Sequence, residues 1–138
     1  MGNLTGPGTY PLKYLDAFFD SVVIRSVGDD WIPVRRGDSV HVEKNAPVRA
    51  RVTIINLGEA ALLCAKDAAS KAGGVCITVC GAADRKVPLP KTLQRFEQVV
   101  VEIMLSEEAL TVAAGVEIGM VAENRAAFGP RYKLQLVP

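Results

Sequence analysis

Apolar and polar residues alternate along residues 46–57, which read APVRARVTIINL. Positions 48, 50, 52 and 54 carry Val, Ala, Val and Ile, whereas positions 49, 51 and 53 carry Arg, Arg and Thr. Successive side chains of an extended chain point to opposite faces, so a period of two separates a buried set from a solvent-facing set. The segment therefore predicts a β-strand with one buried and one exposed face.

Similar segments return along most of the chain, separated by turns rich in Gly, Pro, Asn and Asp. Further strands are predicted at residues 21–25, 31–35, 39–43, 60–65, 74–80, 94–105, 116–123 and 131–137. Pro33 marks the second of these as an edge strand, because proline has no N–H to give to a sheet ladder. Short strands without a sustained helix are typical of all-β sandwiches and barrels. We predict an all-β fold, an antiparallel β-sandwich of about eight or nine strands.

The chain of 138 residues is long enough for one domain with a hydrophobic core. Residues 1–20 begin with a sequence rich in Gly, Pro and Thr and are predicted to be a leader or linker, either packed on the domain or separate from it. Residues 21–138 are predicted to form the sandwich. No basic region followed by an apolar one opens the chain, so no signal peptide is visible and the localisation stays open.

Composition and charge exclude several partners. The formal net charge of +1 gives no strongly basic face, so no nucleic-acid partner is expected. No apolar run approaches the roughly 18 residues of a membrane span, so no membrane association is expected either. Cys64, Cys76 and Cys80 are predicted to be three buried thiols, with a cross-strand bond from Cys64 as the alternative. With a single His in the chain, no metal and no other cofactor is expected.

Catalytic motifs are absent from the sequence. His41, the only imidazole, falls on the polar face of the segment SVHVE, and no nucleophile with an orienting carboxylate is recognisable around it. The patterns GxSxG, HExxH and the P-loop do not occur. We therefore predict that the protein is not an enzyme and has no catalytic residues.

Trp31 is the strongest candidate for a binding residue, because it follows a turn and precedes a predicted edge strand. An exposed aromatic ring stacks on flat partners, such as the apolar face of a sugar. Tyr14 is a second candidate ring, and Arg35 and Arg36 offer hydrogen-bond donors to sugar hydroxyls or acidic groups. The alternative is that Trp31 packs in the sandwich core or against the leader.

Three segments resemble, in the same order, the immunoglobulin-like accessory domains of bacterial glycoside hydrolases. They are PVRARVTIINLGEAALL with its Asn-x-Gly-Glu-Ala turn, LPKTLQRFEQVVVEIML with its Val-rich strand, and GMVAENRAAFGPRYKLQLV with its closing hairpin. Such domains often carry a Trp after the Asn-x-Gly turn and another before the final Phe. This chain has Ala60-Ala61-Leu62 and Ala127 at those places.

The resemblance implies an immunoglobulin-like sandwich that serves a polysaccharide-degrading enzyme as a non-catalytic accessory or carbohydrate-binding module. Its partner would be a polysaccharide or a catalytic domain of the same protein, and it would be extracellular if that enzyme is secreted. The missing tryptophans favour the alternative, a structural or protein-interaction domain without a small ligand. In that case the edge strand at residues 31–35 pairs with a partner or with a second copy as a homodimer.

Overall fold

The computed structural model describes residues 15–25, 30–42, 47–68, 74–81, 84–106, 112–123 and 126–138. Within these ranges the chain forms nine β-strands and one short helix. The strands are β1 (Ala17–Arg25), β2 (Ile32–Pro33), β3 (Ser39–His41), β4 (Val48–Asn56), β5 (Val75–Cys80), β6 (Arg85–Pro88), β7 (Gln98–Ser106), β8 (Ala114–Ala122) and β9 (Ala126–Val137). The helix, α1, spans Ala65–Ala68 between β4 and β5. None of the helical structure in these ranges is long and apolar enough to cross a membrane.

The strands form two sheets, a first sheet in the order β2-β1-β4-β7 and a second in the order β3-β9-β8-β5-β6. Neighbouring strands are antiparallel, except that β3 runs parallel to β9. Each sheet turns one apolar face towards the other, which is how a sandwich removes its hydrophobic side chains from water. The predicted all-β sandwich of eight or nine strands is confirmed, with the parallel β3–β9 pair as the one departure from an antiparallel arrangement.

The strand pattern of residues 46–57 is borne out in the core. Val48, Ala50, Val52 and Ile54 of β4 are fully buried, and their neighbours on β7 are Val101 and Ile103 among others. On the second sheet buried residues recur at every second position along β5, β8 and β9; they include Val75, Ile77, Val79, Val116, Ile118, Leu134 and Leu136. Two inward faces of this kind make one continuous hydrophobic core.

The first strand begins at Ala17, four residues before the predicted start at position 21. A register shift between Phe19 and Ser21 inserts Asp20 into the β1–β4 ladder as a β-bulge. The bulge puts Phe19 and Val22 on the same buried face although they are three residues apart, so the period of two is broken. Residues 15–20 therefore belong in part to the sandwich, while positions 1–14 of the predicted leader lie outside the described residues.

A strand predicted at residues 60–65 does not form. Leu62 makes only an isolated bridge with Leu93, and the chain then enters α1 at Ala65. The cause lies at the end of β4, where the buried Asn56 turns the chain with its side chain. Its Nδ2 donates to the carbonyl oxygens of Ala60 at 2.9 Å and Leu93 at 3.0 Å, and its Oδ1 accepts from the N–H of Gly58 at 2.8 Å. These bonds replace a strand ladder.

Candidate functional site

The outer face of the first sheet concentrates arginine side chains. On β4, Arg49 and Arg51 point away from the core, because they alternate with buried Val48, Ala50 and Val52. The strand register places Arg25 of β1 beside Arg49 and Glu102 of β7 beside Arg51. Three guanidinium groups and one carboxylate therefore lie on the same sheet face.

Trp31 lies on this face as well. It precedes β2, whose Ile32 pairs with Ile24 of β1, so the indole reaches the residues around Arg25. The Cζ atom of Arg25 lies 4.8 Å from the centre of the indole ring, and that of Arg51 lies 4.2 Å from it. At such distances the ring quadrupole attracts each cation. We call Arg25, Trp31, Arg49, Arg51 and Glu102 the arginine–tryptophan patch.

The patch carries excess positive charge. Glu102 Oε1 lies 3.3 Å from Arg51 Nε, and its Oε2 lies 3.9 Å from Arg49 Nη1. The Glu102 carboxylate thus lies near two guanidinium groups, while Arg25 lies directly opposite Arg49 on the neighbouring strand. Like charges opposite each other are unfavourable in a sheet, and an anion bound between them would relieve that repulsion. Guanidinium groups bind carboxylates and sulfates with two parallel hydrogen bonds, so the patch is suited to an anionic ligand.

The structure places the predicted binding residues at different sites. Trp31 is half-buried against arginines rather than in the core, which contradicts the alternative of a core position. Arg35 and Arg36 lie in the turn between β2 and β3, and the Arg36 Cζ atom is 5.9 Å from the ring centre of Tyr132 on β9. Tyr14 lies outside the described residues.

The turn that carries Arg35 and Arg36 is fixed to the second sheet. The N–H of Gly37, whose φ of 87° suits a residue without a side chain, donates to the carbonyl oxygen of Lys133 at 2.7 Å. The Tyr132 hydroxyl donates to the carbonyl oxygen of Val34 at 2.7 Å, and burial raises the pKa of that hydroxyl. Arg36 therefore lies near the second sheet, whereas the contacts of Trp31 are with the first sheet.

The sequence did not indicate Arg25, Arg49, Arg51 and Glu102 as site residues. Alternation predicts that Arg49 and Arg51 face solvent, and this part is confirmed. Their proximity to Arg25 and Glu102 depends on which strands are neighbours and in which register they pair. Neither the strand order nor the register can be predicted from a local sequence pattern.

The outer face of the second sheet differs in its charge pairing. It holds two depressions of about 340 and 290 Å³, both lined in part by Glu117. Glu117 lies 3.8 Å from Lys133 Nζ and 4.0 Å from Arg131 Nη1, and Glu123 lies 3.2 Å from Lys86 Nζ. These three cations have two carboxylates between them, whereas the patch has one carboxylate for three guanidinium groups, so we regard the arginine–tryptophan patch as the better candidate although the depressions are the more concave sites.

The three cysteines are free, but only Cys64 is buried as predicted. Cys76 is half-buried and its Sγ lies 3.6 Å from Glu123 Oε1, while Cys80 is exposed on the same outer face. The expectation of three buried thiols is wrong for Cys80, because position 80 continues the outward-facing set of β5.

Alkylation should distinguish the thiols. Burial, together with the Glu123 carboxylate, raises the pKa of the Cys76 thiol, so less thiolate is present at neutral pH. We expect iodoacetamide to modify Cys80 well before Cys76 and Cys64, as measured by peptide mass spectrometry over time. The Glu123→Gln variant should speed the modification of Cys76 and leave the rate at Cys80 unchanged. Equal rates at Cys76 and Cys80 would contradict the outward exposure of Cys80.

His41 is exposed on β3, and within the described ranges no group of three or more His, Cys, Asp or Glu side chains is arranged to hold a metal ion. A comparison of the sequence with protein-family models and with curated proteins finds no match.

Proposed function

We propose that the protein is a non-catalytic accessory module of a polysaccharide-degrading enzyme, and that its arginine–tryptophan patch binds a polysaccharide that carries carboxylate groups. The observation that supports the ligand class is the excess of guanidinium groups around Trp31. A uronate offers a carboxylate to Arg25 or Arg49, and a guanidinium group binds a carboxylate with two parallel hydrogen bonds.

The contacts of Trp31 favour an acidic over a neutral sugar. Guanidinium groups already lie over the indole, so a neutral sugar has to displace them before it can stack on the ring. An acidic sugar instead adds its carboxylate to arginines that the indole holds in place. Holding the long arginine side chains in this way reduces the entropy lost on binding.

We also propose that the sandwich is immunoglobulin-like. In an immunoglobulin constant domain, strands A, B and E share one sheet and strands C, F and G share the other. The order β1-β4-β7 in the first sheet and β9-β8-β5 in the second supports this correspondence, with β6 in the place of an added strand beside C. β3, which pairs in parallel with β9, is then the edge strand at the other end of the second sheet.

Binding to a panel of glycans tests the proposed function. We expect polygalacturonate and alginate to bind, and cellulose and xylan to bind much more weakly, in affinity electrophoresis or calorimetry. Arg49→Gln should weaken binding of the acidic chains about tenfold, because a hydrogen bond to a charged group contributes about 1.5–3 kcal/mol. Added salt should weaken binding in the same direction, since the ion pairs are exposed to solvent.

Arg131→Gln is the matched control, because it removes the same charge from the other sheet face, where Arg131 lies near Glu117. It should leave the affinity within about twofold of the original value. Equal losses from Arg49→Gln and Arg131→Gln would show a non-specific charge effect and contradict the proposed site. Binding of neutral glycans alone, or of no glycan, would contradict the proposed ligand.

A further inference from the structure

The four edges of the two sheets are protected to very different degrees. β2 is two residues long and contains Pro33, β3 is three residues long, and β6 carries Lys86 and Pro88. Short strands, proline and lysine are the usual means of preventing a sheet edge from pairing with another chain. β7, at the end of the first sheet, has nine residues and contains neither proline nor lysine.

The hydrogen-bonding groups of β7 alternate between β4 and the outer edge. At the end of the ladder, the backbone N–H of Asn56 donates to the carbonyl oxygen of Glu97, and the backbone carbonyl oxygen of Asn56 accepts from the N–H of Phe96. Because bonded positions recur every second residue, the pairs Ile54–Val99, Val52–Val101 and Ala50–Ile103 continue the ladder. The N–H and C=O groups of residues 98, 100, 102 and 104 therefore point away from β4.

The side chains along this edge suit close approach by another strand. Val100 is 55% exposed, which is high for a β-branched residue in the middle of a long strand. The only charged residue of β7 is Glu102, and Arg49 and Arg51 of the same chain already lie beside its carboxylate. An incoming strand would thus cover an apolar side chain and meet a single carboxylate, that of Glu102.

We propose that β7 of one copy pairs with β7 of a second copy, antiparallel and about a two-fold axis at Val101. This register brings residues 98–104 of both copies together and places Val100 opposite the partner's Glu102. The hydrogen bonds are formed by the outward-pointing groups of residues 98, 100, 102 and 104. The two first sheets then join into one continuous sheet.

The composition of β7 favours this register over the two adjacent ones. Centring the axis on Glu102 would put two carboxylates opposite each other, which is unfavourable across a strand pair. Centring it on Val100 would pair only residues 98–102 of the two copies, because β7 begins at Gln98. Centring it on Val101 avoids the first problem and keeps a longer overlap, with Val99 beside the partner's Ile103 on the core side.

The arrangement has a geometric consequence. Residues paired across antiparallel strands point to the same face, so the two-fold axis is perpendicular to the sheet. The outer faces of the two first sheets then lie on the same side, and both arginine–tryptophan patches are presented together. The pairing itself depends only on β7 and not on the proposed polysaccharide binding.

Sedimentation equilibrium of the full chain over a range of micromolar concentrations tests the pairing. We expect the unmodified protein to approach twice the chain mass of 14.8 kDa. Val100→Pro should raise the dissociation constant at least tenfold, because it removes an outward N–H and leaves the bonds to β4 intact. Circular dichroism checks that this variant is folded.

Charged variants at the same position test the register and do not depend on the proline variant. Val100→Glu should weaken the dimer at least fivefold, since it faces the partner's Glu102, whereas Val100→Lys should keep or strengthen it. Val23→Glu, on the same face but on an inner strand, is the control and should leave the dimer unchanged. A monomer at all concentrations, a dimer insensitive to both Val100→Pro and Val100→Glu, or equal weakening by Val100→Lys and Val100→Glu would overturn the proposal.

Discussion

Replacing Ile54 by alanine should lower the free energy of unfolding by about 4 kcal/mol, because it leaves a cavity in the centre of the core. Ile54 is fully buried on β4, which lies between β1 and β7 and has no free edge to relax into a cavity. Urea unfolding followed by far-UV circular dichroism measures the change. A domain of this size has a total stability of about 5–15 kcal/mol, so the variant should remain folded at low temperature but lose a large part of its stability.

Ile55→Ala is the matched control for this prediction. Ile55 is the next residue of the same strand, loses the same side-chain atoms, and lies half-buried on the outer face beside Phe18. We expect a loss of about 1 kcal/mol, since much of that side chain is already in contact with water. Equal losses for the two variants would mean that β4 does not have one buried and one outer face.

The second large effect is expected at Asn56. Asn56→Ala should lower the free energy of unfolding by about 3 kcal/mol, because it leaves buried backbone groups without their hydrogen-bond partner. These groups are the carbonyl oxygen of Ala60 and the N–H of Gly58, whereas the carbonyl oxygen of Leu93 loses one of two donors and keeps the N–H of Leu62. Leu57→Ala, one residue further and 42% exposed, should change the same quantity by less than about 1 kcal/mol.

Asn56→Asp separates the hydrogen bonds from the volume of the side chain. The new carboxylate keeps an acceptor for Gly58 but faces two carbonyl oxygens without a donor, so the variant should be strongly destabilised at neutral pH. Burial raises the pKa of such a carboxyl in the folded state above its unfolded value, so the folded state binds more protons. The loss relative to the unmodified protein should therefore shrink as the pH falls towards that raised pKa. A loss independent of pH would show that packing, rather than the missing donor, makes Asn56 necessary.

The patterns that were read correctly are those in which a residue's face depends only on its immediate neighbours. The alternation of β4, the inward Val99, Val101 and Ile103 of β7, and the edge position of Pro33 are of this kind. The pattern failed where one irregular residue changed the spacing, as Asp20 does in β1. It also failed after Asn56, where a side chain forms bonds that a strand would give to the backbone.

The candidate site shows the same division. Trp31 stands out in the sequence as the only tryptophan, and the structure places it among the charged residues of an outer face. Arg35 and Arg36 are near it in sequence, yet their turn is bonded to the second sheet. Arg25 and Arg51, which lie over the indole, are 6 and 20 residues away from Trp31 in the chain.

The sequence alone determined that the chain is all-β and which side chains of each regular strand are buried, because both follow from the period of two along an extended backbone. Only the tertiary structure decided which strands are neighbours, since pairing depends on contacts between residues far apart in the chain. That choice assembles Arg25, Arg49, Arg51 and Glu102 around Trp31. It also leaves β7, rather than the segment at 31–35, as the long strand at a sheet edge.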